Sequence, residues 1–377
     1  MRAFVFTDPS LKRHAGQFVW LSINTERPEN AAFQAKFPVQ AWPSFFIIDP
    51  RNEAVAIRWV GGATVPQLEK LLADGRRSVH PSTRGVSEAL ARADQLYGDG
   101  RNAEAAEAYR EALRLAPPGW PQYARAVESL LFALAQRHDA KGCAKTAQEA
   151  YPKLAHTPSA ANVAASGLDC SLDLPADDPD RAALVSEFAR ACRELVEKPP
   201  SNVAADDLSS VYQTLAGERE AAHDAEGKTK VLSDWAVFLE GAAGRAKTPE
   251  GRSAFDSHRL TAYLQLNAPE RAVPMLEASE RDFPDDYNPP ARLAVAYKAM
   301  KRYDDALTAS DRALARVYGP RKILILNNRA DIYAARGDSA AARQTIEEAL
   351  RIAEGFPTGQ RSNAQIASLK KKLEQMP

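Results

Sequence analysis

Only three of the 377 residues are cysteine, Cys143, Cys170 and Cys192, and no two of them form a C-x-x-C pair. So odd and scattered a set speaks against a disulfide framework and offers no closely spaced ligands for a structural metal. Three reduced, buried thiols acting as small hydrophobes are expected. Histidine is nearly as sparse: His14, His80, His138, His156, His223 and His258 show no H-E-x-x-H spacing, so no metal and no other cofactor is expected. Neither sign of charge is in excess, with 49 Lys+Arg against 49 Asp+Glu. That balance argues against a nucleic-acid partner, which would need a cationic surplus. No apolar run approaches the roughly 18 to 20 residues of a membrane-spanning helix. The densest short runs are Phe45–Ile48 and Leu130–Ala135. Before Asp8 and Pro9 the longest apolar run is the four residues Ala3–Phe6, against roughly 7 to 15 in a secretory core. As the sequence begins, the expected compartment is the cytoplasm.

What is present is a chain with 45% apolar residues, enough for a sizeable core, and a length that suggests two to three domains. Residues 1–78 carry strand signals. Phe18–Ile23 and Ser44–Ile48 are β-branched or aromatic runs closed by Asn24-Thr25 and Asp49-Pro50, and Ala54–Val60 follows ahead of Gly61-Gly62. Pro28–Phe37 has Ala32, Phe33 and Phe37 at helical spacing, and Val65–Leu72 places Leu68, Leu71 and Leu72 on one face behind Pro66. The expected order is helix, strand, helix, strand, strand, helix. A linker is expected at 79–85, around Pro81, Ser82 and Thr83.

From Val86 onward the sequence is alanine-rich and reads as helices separated by Gly, Pro, Asp and Asn. Tyr263, Tyr297 and Tyr333 recur at intervals of 34 and 36 residues, and so do Ala272, Ala306 and Ala342. Near the linker, Leu96-Tyr97, Gly100, Ala105, Tyr109, Ala112-Leu113 and Pro117 carry the fuller pattern of a helix-turn-helix unit. These residues resemble the tetratricopeptide (TPR) family. The resemblance implies an all-α solenoid over 86–377, with clear units at 86–118, 253–286, 287–320 and 321–355. Residues 120–250 are expected to continue it as degenerate hairpins, because each hairpin buries one side only and needs a neighbour. Gln365–Lys372, charged and followed by Leu373, is expected to close the stack as a solvating cap.

Ala41-Trp42-Pro43-Ser44 leading into Phe45–Asp49, with the following Gly61-Gly62, resembles the thioredoxin-like family. That resemblance implies an α/β domain over 1–78 in which Pro43 is cis and Trp42, Pro43 and Ser44 form a substrate-binding loop. The family's Cys-x-x-Cys is missing, since no cysteine precedes Cys143. The strand expected before that motif is missing too, and losing a central strand would expose two sheet edges. The expectation is a natural chain extending roughly 20 to 40 residues further upstream, with a strand, a C-x-x-C-like motif and a signal peptide that would place it in the periplasm or outside the cell.

A TPR stack commonly presents the first helix of each pair along a concave face that takes an extended peptide or partner helix. Aligned on the repeat, Asn288, Lys298, Asn327 and Asp331 would line that face and meet a protein partner. Their mixed signs depart from the Lys/Asn pattern by which some family members clamp a terminal carboxylate. The expected function is a protein-interaction scaffold, with a thiol-disulfide oxidoreductase as the alternative; no catalytic residue is expected within the sequence itself. Gly241–Thr248 superficially suggests a phosphate loop, but Ala246 stands where glycine must precede Lys247. The acidic pairs Asp177-Asp178, Asp285-Asp286 and Asp304-Asp305 fall at turns or first helical turns, where capping is expected.

Overall fold

The structure is a computed structural model that describes residues 5–39, 41–79 and 85–376. Its first elements are a 3-10 turn at Pro9–His14, another at Pro28–Asn30, helix α1 (Ala31–Lys36), strands β1 (Ser44–Ile48) and β2 (Val55–Val60), and helix α2 (Val65–Val79). β1 and β2 pair antiparallel, Ser44 opposite Val60 and Phe46 opposite Arg58, with an irregularity between Ile47 and Ile48. Period-two alternation puts Phe45, Ile47, Ile57 and Trp59 on one face, where Ala63 and Leu71 pack against them. α2 starts at a reciprocal cap: the Gln67 side chain accepts from Thr64 N at 2.8 Å, and Gln67 N donates to Thr64 Oγ1 at 3.4 Å. Gly75 has no Cβ because the Ile47 side chain occupies that space.

One element of the expected order does not form. Phe18–Ile23 forms no strand; the sheet among the described residues contains β1 and β2 alone. A strand needs a ladder partner as well as a suitable composition, and without one Val19 and Leu21 stand 87% and 71% exposed. α2 runs on through Val79, into the first residue of the expected linker, whose positions 80–84 lie outside the described residues. Of the helix expected to open the chain, residues 1–4 also lie outside them.

Beyond Gly85 the described chain is helical: α3 (Val86–Gly98), α4 (Asn102–Leu115), α5 (Tyr123–Gln136), α6 (Ala140–Leu154), α7 (Ala160–Leu172), α8 (Arg181–Glu197), α9 (Ala205–Ala221), α10 (Ala225–Arg245), α11 (Pro249–Ser253), α12 (Asp256–Gln265), α13 (Ala272–Asp282), α14 (Asn288–Ala299), α15 (Tyr303–Arg316), α16 (Arg321–Arg336), α17 (Ser339–Glu354) and α18 (Asn363–Glu374). The recurring alanines Ala105, Ala272, Ala306 and Ala342 are at most 1% exposed, the small residues that let paired helices approach. Packing divides the chain into two compact units. One comprises Met1–Ala15 and Val39–Trp235, the other Gly16–Pro38 and Ala236–Pro377, so the boundary falls inside α10.

Six of the hairpins turn in the same way. At Gly100, His138, His223, Asn267, Lys301 and Gly337 the backbone has φ between 54° and 91°. Each of these residues donates its N–H to the carbonyl three back, and the next residue donates five back, as in Lys301 N to Lys298 O and Arg302 N to Tyr297 O, both 2.9 Å. This double closure satisfies carbonyls that a helix end leaves open. After three of the turns an aspartate caps the next helix: Asp139 accepts from Gly142 N, Asp224 from Gly227 N and Asp338 from Ala341 N.

The first unit contains a Cys143–Cys170 disulfide joining α6 to α7, with Cα atoms 5.9 Å apart, while Cys192 is buried and free. The expectation of three reduced thiols is therefore corrected. Spacing along the chain carries no information about which helices fold side by side, and the α6–α7 hairpin brings together two residues 27 apart. The same unit anchors β2 through a buried network. Arg58 stacks between the rings of Phe46 and Tyr97, 5.1 and 4.6 Å from their centroids. Beside it Arg125 pairs with Asp94 at 2.7 Å and donates to Arg58 O at 3.2 Å, and Tyr109 donates to Asp94 at 2.7 Å. Hydrogen bonds to the remaining polar atoms offset part of the desolvation cost of a buried ion pair, and Tyr109 together with the β2 carbonyl supplies two of them, while Arg125 Nε has none.

Candidate binding surfaces

In the first unit the Trp42–Pro43 peptide is cis. Pro43 O accepts from Gly61 N at 2.9 Å and Ser44 Oγ donates to Ala41 O at 2.7 Å, while Trp42 is 57% exposed. The three residues thus form a turn at the open end of the hairpin, with an aromatic facing solvent.

Deeper in the same unit, two carboxyl groups lie close to one another. Burial pushes Glu128 on α5 up to about 7, against hydrogen bonds from Ser159 and Asn162. Burial and then the Glu128 charge push Asp207 on α9 up to about 8, with Asp206 beside it adding to the effect. Asn162 Nδ2 on α7 donates to Glu128 Oε2 at 3.2 Å. A carboxyl kept neutral in this way donates a hydrogen bond at a pH where an exposed one only accepts. Spacing in the sequence gave no sign of this pair.

In the second unit, α14 and α16 bring Lys298, Asn327 and Asp331 to one place. Lys298 Nζ lies 3.9 Å from Asp331, and Lys372 of α18 donates to Asn327 Oδ1 at 2.7 Å and to Asp331 at 2.5 Å. α18, expected only as a solvating cap, buries Ile366 and Leu369 in the core with Ile346 and Ala349, and also supplies a cation to this cluster. Asn288 does not join it. Its N–H and Nδ2 both donate to Asp286 Oδ1, at 2.8 and 2.7 Å, closing the turn that starts α14. The repeat tyrosines carry a shared decoration: Arg271 stacks on Tyr263, Arg302 on Tyr297, and Arg329 with Arg336 on Tyr333, all within 5.4 Å of the ring centroid.

A further surface went unrecognised in the sequence. Residues 24–37 lie against the loops that precede α14, α16 and α18. Tyr287 donates to Glu26 Oε1 at 3.0 Å and Arg321 Nε donates to the same oxygen at 3.2 Å. Gln360 Nε2 donates to Thr25 O and Arg27 O at 3.0 and 2.9 Å, and Asn24 Nδ2 donates to Tyr318 Oη at 2.8 Å. The Arg27 guanidinium sits 4.1 Å over the Tyr318 ring. Gly319 and Gly359, both at positive φ, approach the segment so closely that a Cβ would run into the Glu26 and Ala31 carbonyl oxygens. The sequence signal was the pair of glycines ahead of α16 and α18, but glycine marks a close approach without naming what approaches.

The architecture of the second unit is that of helical-repeat proteins, and residues 287–355 match the family model described as tetratricopeptide repeat. Residues 287–355 are thus tetratricopeptide repeat sequence. Among solved structures the chain is similar to a tetratricopeptide repeat protein from Parabacteroides merdae, at 11% identity over 77% of this chain and 99% of that one, with a TM-score of 0.47. It is also similar to the TPR2AB domain of yeast Sti1 in a pHSP90 complex, at 13% identity over 77% and 98% of the two chains, with a TM-score of 0.29. Likenesses at that level fix neither activity nor partner. No curated protein matches the sequence. No helix among the described residues is long and apolar enough to cross a membrane.

Proposed function

We propose that the protein is an interaction scaffold whose TPR repeats hold an extended protein partner. The observation that carries this reading is the convergence of Lys298, Asn327 and Asp331 from α14 and α16, inside the residues matched as TPR, with Lys372 alongside. Such a cluster offers both signs of charge and an amide to a peptide backbone and its side chains. Charge reversal at Lys298 and at Asp331, one at a time, followed by quantitative cross-linking in native extract, tests it. At least a fivefold loss of one specific partner is expected from each variant; unchanged recovery overturns the reading.

For the N-terminal part, the β1–β2 hairpin with α2 packed behind it and the cis Trp42–Pro43 turn favour a thioredoxin-like relationship, with Trp42, Pro43 and Ser44 as a peptide-contacting turn, although Gly16–Pro38 of the expected 1–78 domain belongs to the other compact unit. Exchange chemistry has no such support. Cys143 and Cys170 are bonded to each other, and burial pushes the Cys192 thiol up, away from the thiolate that attack requires. The disulfide also favours an oxidising compartment over the cytoplasm for the folded protein.

A further inference from the structure

The contacts that hold residues 24–37 are of a different kind from those that build a helical repeat. Repeat contacts join neighbours along the chain, whereas Glu26 meets Tyr287 and Arg321 across 261 and 295 residues, and Gln360 meets Thr25 across 335. They also divide as peptide recognition divides. Gln360 holds two main-chain carbonyls whatever side chains they carry. Tyr287 and Arg321 read a carboxylate, and Tyr318 reads an amide on one side while its ring takes the Arg27 cation. The segment is shaped for this role by its own bonds: Glu26 N donates to Asn24 Oδ1 at 2.9 Å, and Asn30 Nδ2 donates to Asn24 O at 2.8 Å. Gly319 and Gly359 leave room for main chain where any side chain would exclude it.

We propose that the loops before α14, α16 and α18 form a peptide-recognition site, separate from the Lys298–Asp331 cluster, that the chain's own Asn24-Thr-Glu-Arg27 occupies. Its external ligand is an extended protein segment of the same chemistry, an amide two residues ahead of a carboxylate followed by a cation, and that segment binds by displacing residues 24–37. This rests on the reading of the repeats as a protein-binding scaffold. Occupation by the tethered segment lowers the apparent affinity for an outside ligand by the fraction of time the site is open.

The probe is a fluorescein-labelled synthetic peptide of residues 22–37, titrated by anisotropy into the full chain and into the full chain carrying Glu26→Lys with Arg27→Ala. The released variant is expected to bind at least tenfold more tightly than the unaltered protein, and Arg321→Gln added to it is expected to remove most of that binding. Equal affinity for both proteins, or no binding to the released variant, overturns the proposal. Hydrogen exchange of the 24–37 amides gives a readout that needs no peptide: Glu26→Lys should abolish their protection, and protection that survives overturns the proposal as well. Circular dichroism of each variant establishes that its helices are intact. If the peptide fails while the Lys298 and Asp331 reversals still lower partner recovery, this site alone falls; if those reversals also change nothing, the wider scaffold reading falls with it.

Discussion

Four of the six left-handed turn positions are occupied by residues with a Cβ: His138, His223, Asn267 and Lys301. For an L-residue other than Asn or Asp, that conformation costs roughly 1 kcal/mol relative to glycine. Lys301→Gly should therefore raise stability by about 0.5–1 kcal/mol, part of the gain being lost to the freer unfolded chain, and Gly337→Ala should cost about 1 kcal/mol. Urea midpoints at constant slope measure both. The Glu128 and Asp207 carboxyls make a second prediction at this scale. Their folded pKa values, about 7 and about 8, lie above those of an unfolded chain, so the folded state holds more protons than the unfolded one between about pH 4 and pH 8. Stability contributed by these groups is complete below that window and falls as pH rises through it. Asp207→Asn removes one of the two charges that must otherwise form in a buried place, and should flatten the decline by on the order of 2 kcal/mol at pH 8. Thermal unfolding of both proteins from pH 5 to pH 8.5 checks this; parallel curves would sink it.

Among the elements, the α6–α7 hairpin is the one held covalently. A 27-residue separation between bridged cysteines corresponds to about 3 to 4 kcal/mol of lost unfolded-state entropy. Cys143→Ala with Cys170→Ala should destabilise by about that much, and in denaturant the unaltered protein should titrate one thiol before reduction and three after. The hairpin was legible in the sequence as amphipathic helix, but its bridge was not, because the pairing belongs to helix packing. Two other elements show the same division. Ser44–Ile48 and Val55–Val60 became strands because each found the other, whereas Phe18–Ile23, equally rich in strand formers, has no ladder partner and leaves Val19 and Leu21 exposed. The turns could have been read further than they were. His138-Asp139-Ala140 and His223-Asp224-Ala225 repeat one tripeptide in the stretch where TPR hallmarks fade, and in both the histidine takes the left-handed position and the aspartate caps the next helix. The repeat period put Asn288, Lys298, Asn327 and Asp331 on one expected face; the last three do converge, whereas Asn288 serves its own turn, and Lys372, which joins them, lies beyond the last matched residue and carried no signal.

For the whole molecule, the unusual fact is that a compact unit built mainly from residues 236–377 also includes Gly16–Pro38. Helical repeats fold through local contacts and do so quickly, while contacts spanning hundreds of residues must wait for loop closure. In pulse-labelled hydrogen exchange during refolding, the amides of α14 to α17 should gain protection before those of residues 24–37. Simultaneous protection would mean that the segment takes part in the folding nucleus and does not dock onto a finished surface. During synthesis the same separation becomes a delay. Residues 16–38 leave the ribosome about 250 residues ahead of Tyr287, and at 5–20 residues per second their docking surface follows roughly 10 to 50 s later. For that interval Ala31 and Phe37, both buried in the finished protein, travel with nothing of their own unit to join, so the nascent chain offers cellular quality control apolar surface that the folded protein no longer shows.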